Sequence, residues 1–120
     1  MALKFITGRI KGMLYSLKGG IELLRTEPSI QVQFVMAILV TIAGFYFNIS
    51  REEWMAQILC IGLVMGLEGL NTALEEIADF VHPDHHPKIG RLKDFAAGAV
   101  GIAALVALII ACIIYIPKLI

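Results

Sequence analysis

Apolar and polar positions alternate along this chain in four blocks, each with helical period. Over residues 3–25, Leu3, Ile6, Ile10, Leu14, Leu17, Ile21 and Leu24 recur at spacings of three and four with Lys and Arg between them, which predicts an amphipathic helix. Longer apolar stretches follow at about 29–49, 54–81 and 94–117. The first is interrupted only by Gln31, Gln33, Thr41 and Asn48 after Ile30, and Phe95 to Ile116 carries no charge. At ~1.5 Å per residue, each can cross a bilayer core of about 30 Å. The middle stretch is uncharged from Trp54 to Leu67; Glu68, Asn71, Thr72, Glu75 and Asp79 then share one helical face. An ionisable side chain at such a depth is costly, so Glu68 marks a candidate functional site.

Composition agrees with a membrane protein: 58% of the 120 residues are hydrophobic, 17% are charged, and the mean hydropathy is +0.81. Formal net charge is zero, so nothing points to a nucleic-acid partner. The charges are unevenly placed, however. Lys4, Arg9, Lys11, Lys18 and Arg25 precede the first span, and Lys88, Arg91 and Lys93 lie between the second and third. The positive-inside rule therefore puts the N-terminus and the polar end of the second span in the cytoplasm, with the Asn48–Glu53 turn and the C-terminus outside. The 3–25 helix then lies on the inner membrane surface, held by its apolar stripe and by basic side chains near anionic headgroups. Met1–Gly12 lacks the long apolar core of a secretory signal, which leaves insertion to the first span. Cys60 and Cys112, one in each of two spans, read as apolar filler. Asn48-Ile49-Ser50 fits a glycosylation sequon but sits in a very short turn, so the match is read as chance.

Pro28 disfavours helix at Glu27 and suits the first turn of the next helix, so the chain turns at Glu27, at the water boundary. In the third span Ala99, Ala103, Ala107 and Ala111 recur every four residues beside Gly98 and Gly101, and the second contains Gly62 and Gly66. Such spacing lets helices approach closely in lipid and favours a homo-oligomer. The connection His82-Pro83-Asp84-His85-His86-Pro87 offers imidazole and carboxylate ligands, but a proline-bounded turn lacks the spacing of structural metal sites, and a polar cap at the membrane surface is the better reading.

The polar residues suit phosphoryl transfer, where catalysis is mostly positioning and charge neutralisation. Glu68, the innermost acid, is placed to take a proton from a weak nucleophile such as a lipid hydroxyl. Glu75, with Glu27, can offer carboxylate oxygens to Mg²⁺, which takes one or two of these plus phosphate oxygens. Lys93 offers a cation to phosphates and Asp94 a carboxylate to orient it. The alternatives are interhelical pairing, of Glu75 or Asp79 with Lys93, and a small transporter or scaffold in which Glu68 holds a proton or cation. No Walker A sequence or kinase Gly-rich loop occurs.

The stretch GLEGLNTALEEIAD around Glu68 closely resembles the signature of the small prokaryotic diacylglycerol kinase family, which includes the undecaprenol kinases. YSLKGG at Tyr15, the acid of RTE at Glu27, FNISREEW and HPKIGRLKDFAAGAV extend the resemblance over nearly the whole chain. The resemblance implies a single all-α integral-membrane lipid kinase domain over residues 1–120: a surface helix and three spans, assembled as a homotrimer in a prokaryotic inner (plasma) membrane. It implies ATP with Mg²⁺ as phosphoryl donor and a lipid alcohol, undecaprenol or diacylglycerol, as acceptor, at sites shared between subunits. By the same resemblance Glu68 is the proton acceptor, and Glu27 and Glu75 hold the metal. Tyr15, Asn71, Asp84, His85, His86, Lys93 and Asp94 contact or support the nucleotide, Ala97 and Arg9 lie on the lipid side, and Asp79 completes the signature. The chain departs from the family at Pro28, Ser29 and Gln31, where Arg-Asn or Ala-Ala and then a basic residue are usual. An ungapped comparison places Gly8, with Arg9 beside it, at the family's nucleotide-proximal arginine, and His85 stands where tyrosine is frequent.

Overall fold

A computed structural model describes all 120 residues as four helices: α1 (Ala2–Thr26), α2 (Pro28–Tyr46), α3 (Arg51–Val81) and α4 (Pro87–Leu119). The last three are long and apolar enough to cross a membrane. The molecule is a flat body of 51 × 48 × 22 Å, its long dimension close to the ~50 Å expected for the 33 residues of α4. Helix α4 starts well before the predicted span, at Pro87, because the segment Pro87–Leu92 continues the same helix in front of the apolar stretch. Helix α2 stops at Tyr46, short of residue 49, and Asn48 takes a left-handed φ of 51° in the turn. Asparagine tolerates that conformation better than most side chains.

Each junction has a local chemical cause. Glu27 ends α1 with its N–H on the Leu23 carbonyl at 3.0 Å, and Pro28 opens α2, where a missing N–H costs nothing. Ser50 starts α3 through a capping box: its hydroxyl accepts the Glu53 N–H at 3.1 Å and its own N–H donates to Glu53 Oε1 at 2.9 Å. His86 starts α4 by accepting the Lys88 N–H on Nδ1 at 3.1 Å.

Only ten residues are buried, and none belongs to α1. Residues 2–22 of α1 are exposed throughout, and its last turns meet the bundle through half-buried Leu23 and Leu24. Gln31 secures this corner by donating Nε2 to the Leu24 and Arg25 carbonyls at 3.0 and 3.1 Å, acceptors that the end of α1 leaves without helical partners. Helices α3 and α4 pack along their length, with Ala103 and Val100 buried and Ala107 and Ala111 half-buried. Three alanines of the stripe thus serve packing inside one chain while Ala99 is exposed, and Cβ atoms built on Gly62, Gly66, Gly98 and Gly101 would meet open space. At the α2–α3 turn, a Cβ on Gly44 would lie 2.6 Å from the Trp54 ring, so glycine is required for Trp54 to lie across α2.

Candidate functional site

Burial along the polar face of α3 falls steadily toward its C-terminal end. Glu68 and Asn71 are buried, Thr72 is half-buried, and Glu75 and Asp79 are exposed. The face is therefore a ramp from the bundle interior to the polar end, as the uncharged run before Glu68 predicts. Glu68 retains 9% of its exposure, yet its carboxylate takes part in no hydrogen bond or ion pair within the chain. Buried carboxylates are normally paired or hydrogen-bonded. Its freedom leaves both oxygens available to a group that arrives from outside the chain.

One turn further on, Asn71 Nδ2 donates to Glu75 Oε1 at 3.2 Å. That bond orients Glu75 and leaves its second oxygen open, while Asn71 Oδ1 is buried without a donor. Lys93 at the start of α4 donates to Asp79 Oδ1 at 2.5 Å, so the lysine pairs within the chain with Asp79 and not with Glu75. This pair is accessible, with the two side chains 35% and 64% exposed, so phosphate oxygens can compete for the ammonium. Glu27, at the α1–α2 corner, is half-buried and its carboxylate is unpaired. Leu23 of α1 comes to 3.0 Å from the Cβ position of Gly69, which brings the end of α1 beside the Glu68 turn.

The other predicted site residues make no side-chain hydrogen bond or ion pair with this group. Tyr15 is exposed on α1, and Arg9 lies over the Phe5 ring at 5.1 Å. Asp94 and Ala97 are exposed on the first turns of α4, as are Asp84 and His85 in the connection. His86 serves as the α4 cap, and the His82 and His86 rings meet edge-on with centroids 5.3 Å apart. His82 Nδ1 lies 2.7 Å from the Asp84 carbonyl oxygen. No three His, Cys, Asp or Glu side chains converge as a metal cage. The unpaired carboxylate of Glu27 and the free oxygen of Glu75 are donors of the kind that suits Mg²⁺, a hard cation that completes its shell with water and phosphate oxygens. A groove of about 330 Å³ between α2, α3 and α4 lies on the turn side of Glu68; its lining includes Gln33, Met36, Cys60 and Val64 but no carboxylate.

Two arrangements are not evident from sequence pattern. Gln31 fastens the corner beside Glu27, and Gln57 joins all three long helices near the turn. A polar residue in an otherwise uncharged run is the one signal that marks Gln57.

A three-helix apolar bundle with an acid ramp at one end, its innermost acid unpaired, defines a membrane protein suited to meet a polar group at the bilayer boundary. The chain belongs to the prokaryotic diacylglycerol kinase family, whose description it matches over residues 14–115. It is 40% identical to the undecaprenol kinase of Bacillus subtilis over 109 residues, covering 91% of this chain and 89% of that protein. It is also 31% identical over 105 residues to the diacylglycerol kinase of Escherichia coli K12, covering 88% and 86% of the two chains. The diacylglycerol kinase of Haemophilus influenzae is 30% identical over 98 residues, covering 82% and 83%. All the predicted site residues except Arg9 fall inside the family match.

Proposed function

We propose that this protein transfers the γ-phosphoryl group of ATP to the hydroxyl of a membrane lipid alcohol at the cytoplasmic face, with undecaprenol as the acceptor. Family membership supports the reaction class, and the 40% identity to an undecaprenol kinase supports the acceptor. The observation that carries the mechanism is Glu68, a buried residue whose carboxylate has no partner within the chain. Glu68 draws the proton from the lipid hydroxyl as that oxygen attacks the γ-phosphorus and the bond from phosphorus to the β,γ-bridging oxygen breaks, releasing ADP; the base must lie within hydrogen-bond reach of the hydroxyl. Glu27 and the free oxygen of Glu75 hold Mg²⁺, with Asn71 setting the Glu75 carboxylate. Held there, the ion would supply neutralisation of the phosphate charge. Lys93 moves from Asp79 to the phosphates, and Asp79 returns it to rest after product leaves. Tyr15, Asp84, His85, His86 and Asp94 border the nucleotide, and Arg9 and Ala97 border the lipid.

Helix α1 lies on the inner surface, with its exposed apolar stripe in lipid and its basic residues at the headgroups. The excess of Lys and Arg before α2 and between α3 and α4 supports a cytoplasmic site and N-terminus, and a C-terminus outside. The family resemblance makes a homotrimer the working assembly, and the few residues buried within one copy and the open glycine faces on α3 and α4 leave room for further helix packing. The test is transfer of label from ATP to undecaprenol, diacylglycerol and short-chain alcohols by purified protein in lipid with and without Mg²⁺. The proposal expects Mg²⁺-dependent labelling, greatest for undecaprenol. Proton- or cation-coupled flux with no lipid labelled would instead support a transporter.

A further inference from the structure

Far from the acid ramp, one polar knot joins the three long helices. Gln57 on α3 is 6% exposed, and its Nε2 donates to the Val40 carbonyl of α2 at 3.0 Å. The Tyr115 hydroxyl of α4 donates to Gln57 Oε1 at 2.5 Å and also lies 3.1 Å from the Val40 oxygen. A hydroxyl carries one proton, so the shorter bond takes it, and the amide orientation follows because Val40 can only accept. Every polar atom of the knot is thereby satisfied across three helices.

Gln57, Glu68 and Asp79 stand eleven residues apart on α3, a spacing of about three turns that returns to one face. Asp79 is tied to α4 by Lys93, and Gln57 is tied to α4 by Tyr115. Lys93 and Tyr115 are twenty-two residues apart, so both ties share one antiparallel register, which sets Ala104 level with Glu68. Glu68 thus lies midway between two directional ties. Between Gln57 and Glu68, Gly62 and Gly66 border open space and no side-chain hydrogen bond joins α3 to another helix, so the knot is the nearest directional tie on that side of Glu68. A turn of α3 by roughly 20° moves a side chain at its surface by about 2 Å, more than the ~1 Å that already costs catalysis heavily.

We propose that Gln57 is a positioning residue: through the Tyr115 hydroxyl and the Val40 carbonyl it fixes the rotation of α3 and so the direction in which Glu68 faces. This role rests on the lipid-kinase reading, and lipid labelling by the wild-type protein is therefore measured first; its failure removes that reading and the role together. Given an active wild type, Gln57→Leu in the full chain lowers kcat by about tenfold while the KM for ATP stays within about twofold. Tyr115→Phe lowers kcat by about threefold, and the double variant falls no further than Gln57→Leu, because the two residues act as one unit. Lys118→Met, which removes the nearby half-buried pair with Glu53 (3.4 Å), leaves kcat unchanged. The role is overturned if Gln57→Leu keeps kcat within about twofold, if KM rises in step with the loss, or if the two losses multiply. Should Gln57→Leu fail to fold, Tyr115→Phe decides alone, and an unchanged kcat overturns the role.

Discussion

The two ends of the bundle treat polar groups in opposite ways. At the turn between α2 and α3, Ser50 and Glu53 cap each other, Lys118 reaches Glu53, and Gln57, Tyr115 and Val40 close a buried knot. At the other end Glu68 and Glu27 are unpaired, Glu75 uses one oxygen, and Lys93 leans on an exposed acid. Satisfied groups hold helices together, and each buried group left unmet lowers stability. The polar end forgoes that stability, and in the proposed reaction ATP, metal and lipid supply the missing partners. Stability and chemistry therefore divide between the two ends of α3, with Gln57 the one turn-end residue proposed to reach both.

Substitutions at the two ends should divide accordingly. Glu68→Gln removes the base and should lower turnover by about 10³-fold, while the unfolding midpoint in detergent holds or rises because a buried unpaired carboxylate is gone. Asn71→Ala frees Glu75 and should raise half-saturating Mg²⁺ by about tenfold, read from the Mg²⁺ dependence of lipid labelling. The turn end should respond in the opposite sense. Gly44→Ala forces a methyl into the Trp54 ring and should cost about 1–3 kcal/mol of stability, with turnover per folded molecule little changed. Ser50→Ala removes half of the capping box and should cost about 1 kcal/mol in the same unfolding assay. A turn-end variant that kept its stability but lost Mg²⁺ response would break the division.

The helices were legible because their period and length are set by apolar side chains that face lipid or one another. The ramp on α3 was legible because five polar residues at helical spacing betray a face whatever packs against it. Pairing was harder to read. Lys93 could have met Glu75 or Asp79 by spacing alone, and only the register of α4 selects Asp79. Gln31 looked like a departure from the family's basic residue; in the fold its amide meets the final carbonyls of α1, a need that arises only once the corner forms. Gln57 was one uncharged polar residue in a long apolar run, and its partners lie 17 and 58 residues away in sequence. His86 had a nucleotide role by resemblance, while the structure also gives it the start of α4.

The central claim is that the unpaired Glu68 carboxylate takes the proton of the lipid hydroxyl. Its most direct measurement follows label from ATP into undecaprenol by wild type and Glu68→Gln, both purified in lipid and compared at equal nucleotide occupancy. The account predicts undiminished nucleotide binding by Glu68→Gln with lipid labelling reduced by about three orders of magnitude. Labelling within a few-fold of wild type at equal occupancy would contradict it.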